Sequence, residues 1–337
     1  MTTQSETFRP RINDVAQLAG VSVSSASRAL TGHPDVSRRM LERVKEAARQ
    51  LGYQPDELAQ GLRTGRSGTV GFVVGDISNP TLSPVVLAAE VELRSSGRTV
   101  IITNSELDPA RDAEHIGLLR RRRAEGLLLS LSDDQFPATA AAVVDSGLPT
   151  VLIDRELKGA PECSAVLLNH EVGLEAAVRH TRQLGHTRIG LIMGRDTIRP
   201  NRERKRVLLR TAAHQGMTAV IADGGVSDVE VAAAAATLLD LVDPPTVLIS
   251  SGQVLPGVLR ALRHRHLAVP EDISLITCDD IPLAEFLDPP MATIERDLAE
   301  VGRAAARLLV DRLDGGSGQL VTVPTGFSPR ASCAAPR

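Results

Sequence analysis

Aromatic side chains are scarce in this chain: its 337 residues include no Trp, one Tyr and five Phe. Cysteine is also scarce, with three widely separated residues, Cys163, Cys278 and Cys333. This odd number and spacing fit neither a disulfide framework nor a zinc pattern, and they indicate buried thiols in a reducing compartment. No run of 18 apolar residues occurs, and the N-terminus lacks the apolar segment of a signal peptide. We therefore expect a cytoplasmic protein that binds no membrane.

The sequence motifs of common enzyme classes are missing as well. No GxGxxG follows a predicted strand, and no P-loop or GxSxG motif is found. His264 and His266 lie two apart in a predicted helix, which points their imidazoles to different sides and disfavours a zinc site. Asp154 and Asp279 might suggest an acid and a base, but no nucleophile, metal set or phosphate loop accompanies them. We expect no enzyme activity, no cofactor and no metal.

The charge of the chain is unevenly distributed. Residues 1–66 hold ten Lys/Arg against seven Asp/Glu, a net charge of +3, whereas the rest holds 28 against 34, a net charge of −6. A basic head on an acidic body suits phosphate binding by the head alone. The overall composition, 42% hydrophobic and 23% charged, is that of a globular protein long enough for two or three domains.

The basic head contains a predicted helix-turn-helix. Apolar residues recur at helical spacing from Ile12 to Ala19, Gly20 breaks the helix, and Ser22 can cap a second helix. Two short helices joined by a glycine turn are typical of this motif. Ser37 is predicted to cap a third helix, whose apolar stripe can close a small three-helix core.

Beyond residue 66 the sequence alternates between short apolar strands and helical segments. Strands are predicted at 69–76, 99–105, 126–131 and 150–155, and a second set starts at AVLLN, residues 165–169. This alternation predicts an α/β core of two doubly wound parallel-sheet lobes in series, with a binding crevice at the carboxyl ends of the strands. The chain ends in one more crossing segment, a helix and a strand.

Several segments closely resemble the lactose-repressor (LacI/GalR) family of bacterial transcriptional regulators, from about Arg11 to the C-terminus. The similar segments are INDVAQLAGVSVSSASRAL, LGYQPDELAQGLRTGRSGTVGFVV, DISNP, LGHTRIGLI, VPEDISLITCDDIPLA, PPMATIERD and PRASCAAP. The resemblance implies a helix-turn-helix headpiece, a hinge helix and a periplasmic-binding-protein-like core, assembled as a homodimer. Arg11 stands where the family commonly has a hydroxyl residue opening the first helix.

The resemblance places the second headpiece helix in the major groove of DNA. Val23, Ser24 and Arg28 are then the predicted base contacts, because valine can touch a thymine methyl and arginine can fork onto guanine. The predicted phosphate contacts are Ser22, Ser25, Ser27 and Ser37. The alternative is that these residues are merely the surface of a small helical bundle.

The segment QPDELAQGL resembles the hinge helix of the family, with Leu62 as a minor-groove wedge. The alternative is that this segment is a short linker helix.

In the core, the resemblance carries effector contacts onto three charged residues, Asp154, Arg204 and Asp279. The alternative for Arg204 is a solvated charge in a basic run, and for Asp279 it is a capping or clamping role. Ser251, Thr81 and Leu82 complete the candidate site, and they depart from the family pattern. Thr81 and Leu82 stand where family members commonly place aromatic rings, so a stacking platform for a sugar is hard to assemble. The expected effector is a sugar, a sugar phosphate or another polar or anionic metabolite.

These observations predict a sequence-specific DNA-binding regulator, a repressor that binds a palindromic operator as a dimer and is released by an effector in the cleft between the lobes. Control by a corepressor or by a partner protein stays open, and a solute-binding protein with the same core is the alternative outside transcription. The predicted segments are a flexible tail at 1–10, a headpiece at 11–55, a hinge and linker at 56–66, the core at 67–330 and a tail at 331–337.

Overall fold

The structure, a computed structural model, describes residues 10–30, 33, 35–53, 67–160, 162–225, 227–279 and 283–337. It divides the chain into two compact units, Met1–Ser67 and Gly68–Arg337. The predicted start of the core at residue 67 falls one residue before this division. The predicted hinge helix with Leu62 lies outside the described residues, and so does the predicted N-terminal tail apart from Pro10.

Three helices form the described part of the first unit: α1 (Ile12–Ala19), α2 (Val23–Leu30) and α3 (Arg38–Leu51). Small apolar side chains meet between them, among which Val15, Ala26 and Val44 are fully buried. Gly20 ends α1 with a φ of 64°, a left-handed conformation that costs glycine little. The helix-turn-helix is therefore present where the sequence predicts it.

Side-chain caps fix where these helices begin. The Ser22 hydroxyl accepts a hydrogen bond from the N–H of Ser25 at 3.1 Å, and the Ser37 hydroxyl accepts one from the N–H of Met40 at 3.3 Å. Arg11 offers no such oxygen to α1. Instead its backbone N–H donates to a carboxylate oxygen of Asp14 at 2.7 Å, so half of a capping box remains.

The first lobe of the second unit is a parallel sheet covered by helices. Its elements are β1 (Thr69–Val74), α4 (Leu82–Ser95), β2 (Thr99–Asn104), α5 (Pro109–Arg121), β3 (Gly126–Ser130), α6 (Pro137–Ser146), β4 (Thr150–Ile153) and β5 (Ser164–Asn169). The strand order is β2-β1-β3-β4-β5, followed by the last strand of the chain, β11 (Leu320–Ser328). Strands β1, β3 and β4 are buried along almost their whole length, which explains their unbroken apolar runs.

The second lobe repeats this arrangement with the order β7-β6-β8-β9-β10 and then β11. Its elements are α7 (His170–Gln183), β6 (Arg188–Met193), α8 (Arg199–His214), β7 (Thr218–Asp223), α9 (Asp228–Leu239), β8 (Val247–Ser250), α10 (Leu255–His264), β9 (Ser274–Thr277), a 3₁₀ turn (Ala284–Phe286) and β10 (Ala292–Arg296). The two doubly wound lobes predicted from the sequence are confirmed.

The lobes are not simply in series, which corrects the sequence reading. Strand β5, predicted to open the second lobe, pairs with β4 in the first. After β10 the chain returns to the first lobe as α11 (Leu298–Leu313), which packs on α4. Strand β11 (Leu320–Ser328) begins parallel to β5 and ends antiparallel to β10, so it belongs to both sheets. Three connections therefore join the lobes. The sequence reading assigned β5 to the wrong lobe because a run of buried apolar residues does not specify which sheet it joins.

The C-terminal residues, predicted as a tail, are docked on the second lobe. Ser332 is fully buried, and its hydroxyl donates to the carbonyl of Leu275 at 2.6 Å and accepts from the N–H of Ala292 at 2.8 Å. The carbonyl of Ala334 lies 2.9 Å from Nε2 of the buried His186. These bonds satisfy polar groups at strand ends, which gives the last residues a structural role.

Candidate functional site

A cleft lies where the strand order of each lobe reverses. In the first lobe the order reverses between β1 and β3, and in the second it reverses between β6 and β8. Ligands of doubly wound sheets bind beyond the carboxyl ends of the strands at such points. The residues that follow these strands line one cavity of about 340 Å³: Gly75, Asp76, Ser130–Asp133, Gly194, Arg195, Ser251 and Gln253.

All six predicted effector residues line this same cavity. Thr81 and Leu82 lie at the start of α4, Asp154 follows β4, and Arg204 is in α8. Ser251 and Asp279 follow β8 and β9 of the second lobe. The structure thus brings together residues spread over about 200 positions of sequence, and their contact with an effector stays a prediction.

Asp154 is held by a buried network rather than left open to the cavity. Its carboxylate accepts from Arg199 at 2.5 Å, from Nε2 of His170 at 3.0 Å and from the N–H of Leu168 at 3.2 Å. Burial alone would raise the pKa of Asp154, but His170 and Arg199 outweigh it and hold that pKa below its usual range. The backbone of Asp154 has a φ of 49°, a left-handed conformation that Asp adopts more readily than most non-glycine residues.

His170 is the neutral partner in this network. Burial lowers the pKa of His170, and the nearby Asp154 offsets only part of that effect. We therefore assign it as an uncharged imidazole at neutral pH that donates its Nε2–H to Asp154. The positive charge that balances Asp154 comes from Arg199.

Asp279 has a structural partner on each side. One of its carboxylate oxygens accepts from the N–H of Gly252 at 2.6 Å, and the other forms an ion pair with Arg296. Asp279 is 2% exposed, so this pair is almost wholly removed from water. These two contacts agree with the clamping role considered for Asp279 in the sequence. Asp279 makes them while it lines the edge of the cavity.

Arg204 differs from every other buried charge of the cleft. It is 6% exposed, which contradicts the alternative that it is a solvated charge in a basic run. The residues that the structure describes offer its guanidinium neither a hydrogen-bond acceptor nor an ion-pair partner, and its Nε is buried without a bond. Arg204 is thus a buried cation that faces the cavity.

No aromatic ring lines the described part of the cavity, in agreement with the shortage predicted from the sequence. The Thr81 hydroxyl donates to the side-chain carbonyl of Asn79 at 2.9 Å, and Leu82 packs against the core of the first lobe. The substitutions noted at these two positions therefore leave a wall of hydroxyl and aliphatic groups.

Sequence reasoning missed three further arginines that line the cavity, Arg155, Arg195 and Arg296. Arg155 donates to the carbonyls of Leu131 at 2.7 Å and Asp154 at 3.0 Å. Burial and, second to it, the charge of Arg204 lower the pKa of Arg296 to about 9. Arg155 is the last residue of the predicted strand at 150–155, and this position at the carboxyl end of a strand was the signal that could have identified it.

Asp134 joins the two lobes beside the cavity. This fully buried carboxylate of the first lobe accepts from the Arg202 guanidinium and from the backbone N–H of Arg199, both at 2.8 Å and both in the second lobe. At the opposite rim, the amide of Gln253 donates to Asp76 at 3.1 Å. Both contacts depend on the present angle between the lobes.

The exposed face of α2 holds the predicted base contacts. Val23, Ser24 and Arg28 are exposed, whereas Ala26 and Ala29 on the opposite face are buried in the headpiece core. The exposed fraction of Val23, 44%, is high for a β-branched apolar side chain in a bundle this small. This face can meet another surface without disturbing the core.

The four predicted phosphate contacts cluster at helix starts or on α2. The hydroxyls of Ser22 and Ser25 lie 2.9 Å apart at the start of α2, and Ser37 lies at the start of α3. Ser27 is half-buried on α2. Helix starts of this kind attract phosphate groups. The predicted wedge, Leu62, lies outside the described residues.

A helix-turn-helix unit followed by a two-lobed core with a ligand-sized cleft defines the class of this chain: a DNA-binding regulator with a sensor core. None of the helices within the described residues has the length and apolar character of a transmembrane segment.

Known proteins share both parts. Residues 11–56 match the family model described as bacterial regulatory proteins, lacI family, and residues 178–333 match a periplasmic binding protein-like domain. The transcriptional repressor CytR of Escherichia coli is 30% identical over 308 residues, which cover 90% of each chain. The chain belongs to the lacI family of bacterial regulatory proteins.

Two solved structures extend this similarity to the fold. The complex of the transcriptional regulator CelR with cellobiose is 28% identical, covers 96% of this chain and all of that one, and has a TM-score of 0.72. The lac repressor dimer bound to operator and an anti-inducer is 22% identical, covers 97% of this chain and all of that one, and has a TM-score of 0.85. At 22% identity the second likeness supports the fold alone.

Proposed function

We propose that this protein is a transcriptional repressor that binds a palindromic operator as a homodimer and is released when a small molecule binds between its lobes. The observation that carries the proposal is the presence, in one chain, of an exposed recognition-helix face and a cavity built from both lobes. The protein acts by binding and not by catalysis, and its place of action is the cytoplasm, where bacterial DNA lies.

The headpiece supplies both halves of DNA recognition. With α2 in the major groove, Arg28 would pair with guanine, Val23 would contact a thymine methyl, and Ser24 would accept or donate as the base requires. Ser22, Ser25, Ser27 and Ser37 would bind phosphates and fix the register. Leu62 of the hinge would widen the minor groove at the centre of the operator.

The homodimer explains an apolar surface on the first lobe. Leu87 and Val91 of α4 are 65% and 48% exposed, and they lie beside the edge strand β2, where Ile101 and Ile102 are about 40% exposed. An edge strand, which pairs with a neighbour on one side only, beside an exposed apolar helix face is typical of an interface. The lac repressor, which shares this fold, is a dimer in its operator complex.

The cleft is the proposed effector site, with Asp154, Arg204, Asp279, Ser251, Thr81 and Leu82 as its contacts. An effector that favours one angle between the lobes shifts the population of dimers whose hinges can meet on DNA. The relative CelR was solved with cellobiose, so a sugar is the first class to test here. A ligand that instead favours the angle between the lobes at which the dimer binds DNA would be a corepressor.

The proposal is tested by selecting bound fragments from random duplex DNA with the full-length protein. We expect enrichment of a two-fold symmetric sequence, because a symmetric dimer presents two copies of α2. Small metabolites are then screened for release of the selected fragment. A folded dimer that enriches no sequence contradicts the proposal, and enrichment without two-fold symmetry contradicts the dimer arrangement.

A further inference from the structure

Six arginines gather at the end of the first lobe that lies opposite the cleft. They end helices or precede strands, and all but Arg98 are exposed. Four of them are consecutive: two close the last turn of α5, and two form the turn that leads into β3. Together they form the arginine cluster, which consists of Arg94, Arg98, Arg120, Arg121, Arg122 and Arg123.

The topology of the sheet brings these helix ends together. Strand β1 runs parallel to both of its neighbours, with Thr69 opposite Thr99 of β2 and Val70 opposite Gly126 of β3. The amino ends of the three strands therefore lie side by side. Helices α4 and α5 end beside them, because each helix returns the chain to the start of the next strand. The cleft lies at the carboxyl ends of the same strands, so the arginine cluster is no part of the candidate effector site.

The second unit begins beside the arginine cluster. The N–H of Gly68, its first residue, donates to the carboxylate of Glu125 at 2.7 Å, and the carbonyl of Gly68 accepts from the N–H of Thr99 at 2.8 Å. Fourteen residues, 54–67, separate Gly68 from Tyr53, which follows α3. A chain of that length spans roughly 50 Å at most. The arginine cluster is therefore the charged surface of the core that lies nearest along the chain to the headpiece.

The sign of this charge is opposite to that of the unit that carries it. The segments 94–98 and 120–125 hold six arginines against one glutamate, a net charge of +5. Residues 67–337 as a whole hold 28 Lys/Arg against 34 Asp/Glu, a net charge of −6. The arginine cluster is thus a basic patch on an otherwise acidic core.

The nearby carboxylates neutralise only part of the arginine cluster. Glu90 pairs with Arg94, and Glu125 pairs with Arg98, each at 3.5 Å. Glu125 also accepts from the N–H of Gly68, so its oxygens are already in use. Three arginines form no ion pair with any residue that the structure describes: Arg120, Arg121 and Arg122.

The dipole of α5 does not account for four consecutive cations. The carboxyl end of a helix carries about half an elementary negative charge, so a single arginine in the last turn already exceeds it. The other arginines at this end repel one another. Such a surplus of positive charge becomes favourable when a polyanion neutralises it, and duplex DNA carries one negative charge per roughly 1.7 Å of its axis.

We propose that the arginine cluster is a second DNA-binding surface, through which the core contacts phosphates of the duplex that the headpiece reads. The inference rests on the proposed function and extends the DNA interface from the first unit to the second. Exposed guanidinium groups bind phosphate oxygens without regard to base sequence. The arginine cluster therefore adds affinity and salt dependence, but no selectivity. An acidic protein segment is the competing occupant, and cross-linking distinguishes the two.

The first test removes three charges by combining Arg120→Gln, Arg121→Gln and Arg122→Gln. We expect this triple variant to bind the selected operator roughly tenfold to a hundredfold more weakly at about 0.1 M salt, and random duplex DNA by the same factor. The slope of log affinity against log salt concentration should become shallower by about 2 to 4, because each phosphate contact contributes about 0.9 and a dimer has two arginine clusters. The melting temperature should stay nearly unchanged, since the side chains are exposed.

The matched control combines Arg179→Gln, Arg182→Gln and Arg263→Gln, three exposed arginines near the carboxyl ends of α7 and α10 in the second lobe. It removes the same charge and should leave affinity and slope nearly unchanged. Lysine at positions 120–122 should preserve both, because attraction to phosphate needs the charge and not the guanidinium group. Equal losses in the two glutamine variants would show a general charge effect and overturn the proposal, as would no loss in the first.

The second test detects the contact directly. A photoreactive amino acid replaces Arg121 in the full-length protein, which is irradiated on the selected operator. We expect a protein–DNA adduct, and none when the same amino acid replaces Arg263. Adducts within or between protein chains alone would assign the arginine cluster to an acidic protein segment and overturn the proposal.

The outcomes of these tests are distinct from failure of the proposed function. The proposed function fails where no DNA sequence is selected at all. A selected operator whose affinity and salt dependence are the same for the wild type and for the variant with glutamine at positions 120–122 overturns the second DNA-binding surface and leaves the repressor intact.

Discussion

Two arginines with opposite surroundings are proposed to carry the two functions of this chain. Arg28 is exposed on a helix whose other face is buried, so it can reach a base edge. Arg204 is buried and faces a cavity, so it can reach only what enters that cavity. Helical periodicity predicts the exposure of Arg28, whereas the burial of Arg204 contradicts the reading of a basic run as a solvated surface.

Replacing Arg28 by Ala should weaken binding to the selected operator by about 1–3 kcal/mol and barely change binding to random DNA. The change removes a contact to a guanine base but few of the phosphate contacts on which binding to random DNA depends. Fluorescence anisotropy at fixed salt measures both affinities. The control, Arg49→Ala on α3, removes an arginine that is paired with Glu46 at 2.7 Å. An equal loss on both DNAs would make Arg28 a phosphate contact.

His170 should make the stability of the core depend on pH. Burial holds the pKa of His170 below the value of about 6.5 that it has in the unfolded chain, so the unfolded chain binds a proton first as the pH falls. The free energy of unfolding should therefore decrease below about pH 6.5. His180 and His186 contribute in the same direction, since burial also lowers their pKa values.

Thermal unfolding of the wild type and of His170→Gln between pH 8 and pH 5.5 measures this contribution. Glutamine can still donate to Asp154 but does not titrate, so its melting temperature should fall less steeply with decreasing pH. Parallel curves for the two proteins would mean that His170 does not titrate in this window.

The sequence predicted which residues follow the strands, but it did not predict their partners. Asp154 and Asp279 were assigned because the chain resembles the LacI/GalR family, and both line the cavity. Arg199 and Arg296 were not assigned, because their ion pairs form between segments more than 15 residues apart, and no local pattern encodes such a meeting. Topology predicts where a site lies. Which of its charged groups are paired follows only from the three-dimensional contacts.

At the scale of elements, the strands were predicted better than their connections. Buried parallel strands are continuous apolar runs, and β1 to β4 were found within two residues at either end. Helix α6 was missed, since its Ala- and Val-rich sequence (PATAAAVVDS) has no strongly polar face. The assignment of β5 to the wrong lobe has a different cause, because strand pairing is a long-range property.

Helices α4 and α11 approach each other closely, and Gly302 of α11 makes this approach possible because it has no side chain. A Cβ placed on Gly302 would lie 2.2 Å from the backbone carbonyl oxygen of Val85 and 3.0 Å from the Cβ of Ala88. Gly302→Ala should therefore reduce the free energy of unfolding by about 1–3 kcal/mol, the usual cost of overpacking. Denaturant unfolding of the protein measures it.

The matched control is Gly117→Ala in α5, where a Cβ would meet only the mobile end of Arg121. This change should stabilise the protein by up to about 1 kcal/mol, because alanine favours a helix over glycine. If both variants shifted stability in the same direction and by the same amount, helix propensity would explain the result and the close contact would not.

At the scale of the whole molecule, the account depends on movement between the lobes. Asp134 should hold the present angle, because it accepts from two groups of the second lobe while it is fully buried. Asp134→Asn replaces a carboxylate oxygen by an N–H₂ donor facing other donors, at a cost of about 2–5 kcal/mol to this arrangement. We expect a larger radius of gyration by small-angle X-ray scattering.

The control for this change is Asp145→Asn, an exposed carboxylate on α6 that loses the same charge. Its scattering should match that of the wild type. Scattering of Asp134→Asn that is identical to the wild type would show that the three connections between the lobes fix their angle without this contact.

The most direct measurement is the affinity of the full-length dimer for its selected operator, with the cleft either free or saturated by a small molecule that binds it. The account predicts a change of roughly 5-fold to 150-fold in operator affinity, and an equal change in ligand affinity when the operator is bound, because the coupling is reciprocal. Identical operator affinities with and without a saturating ligand would contradict it.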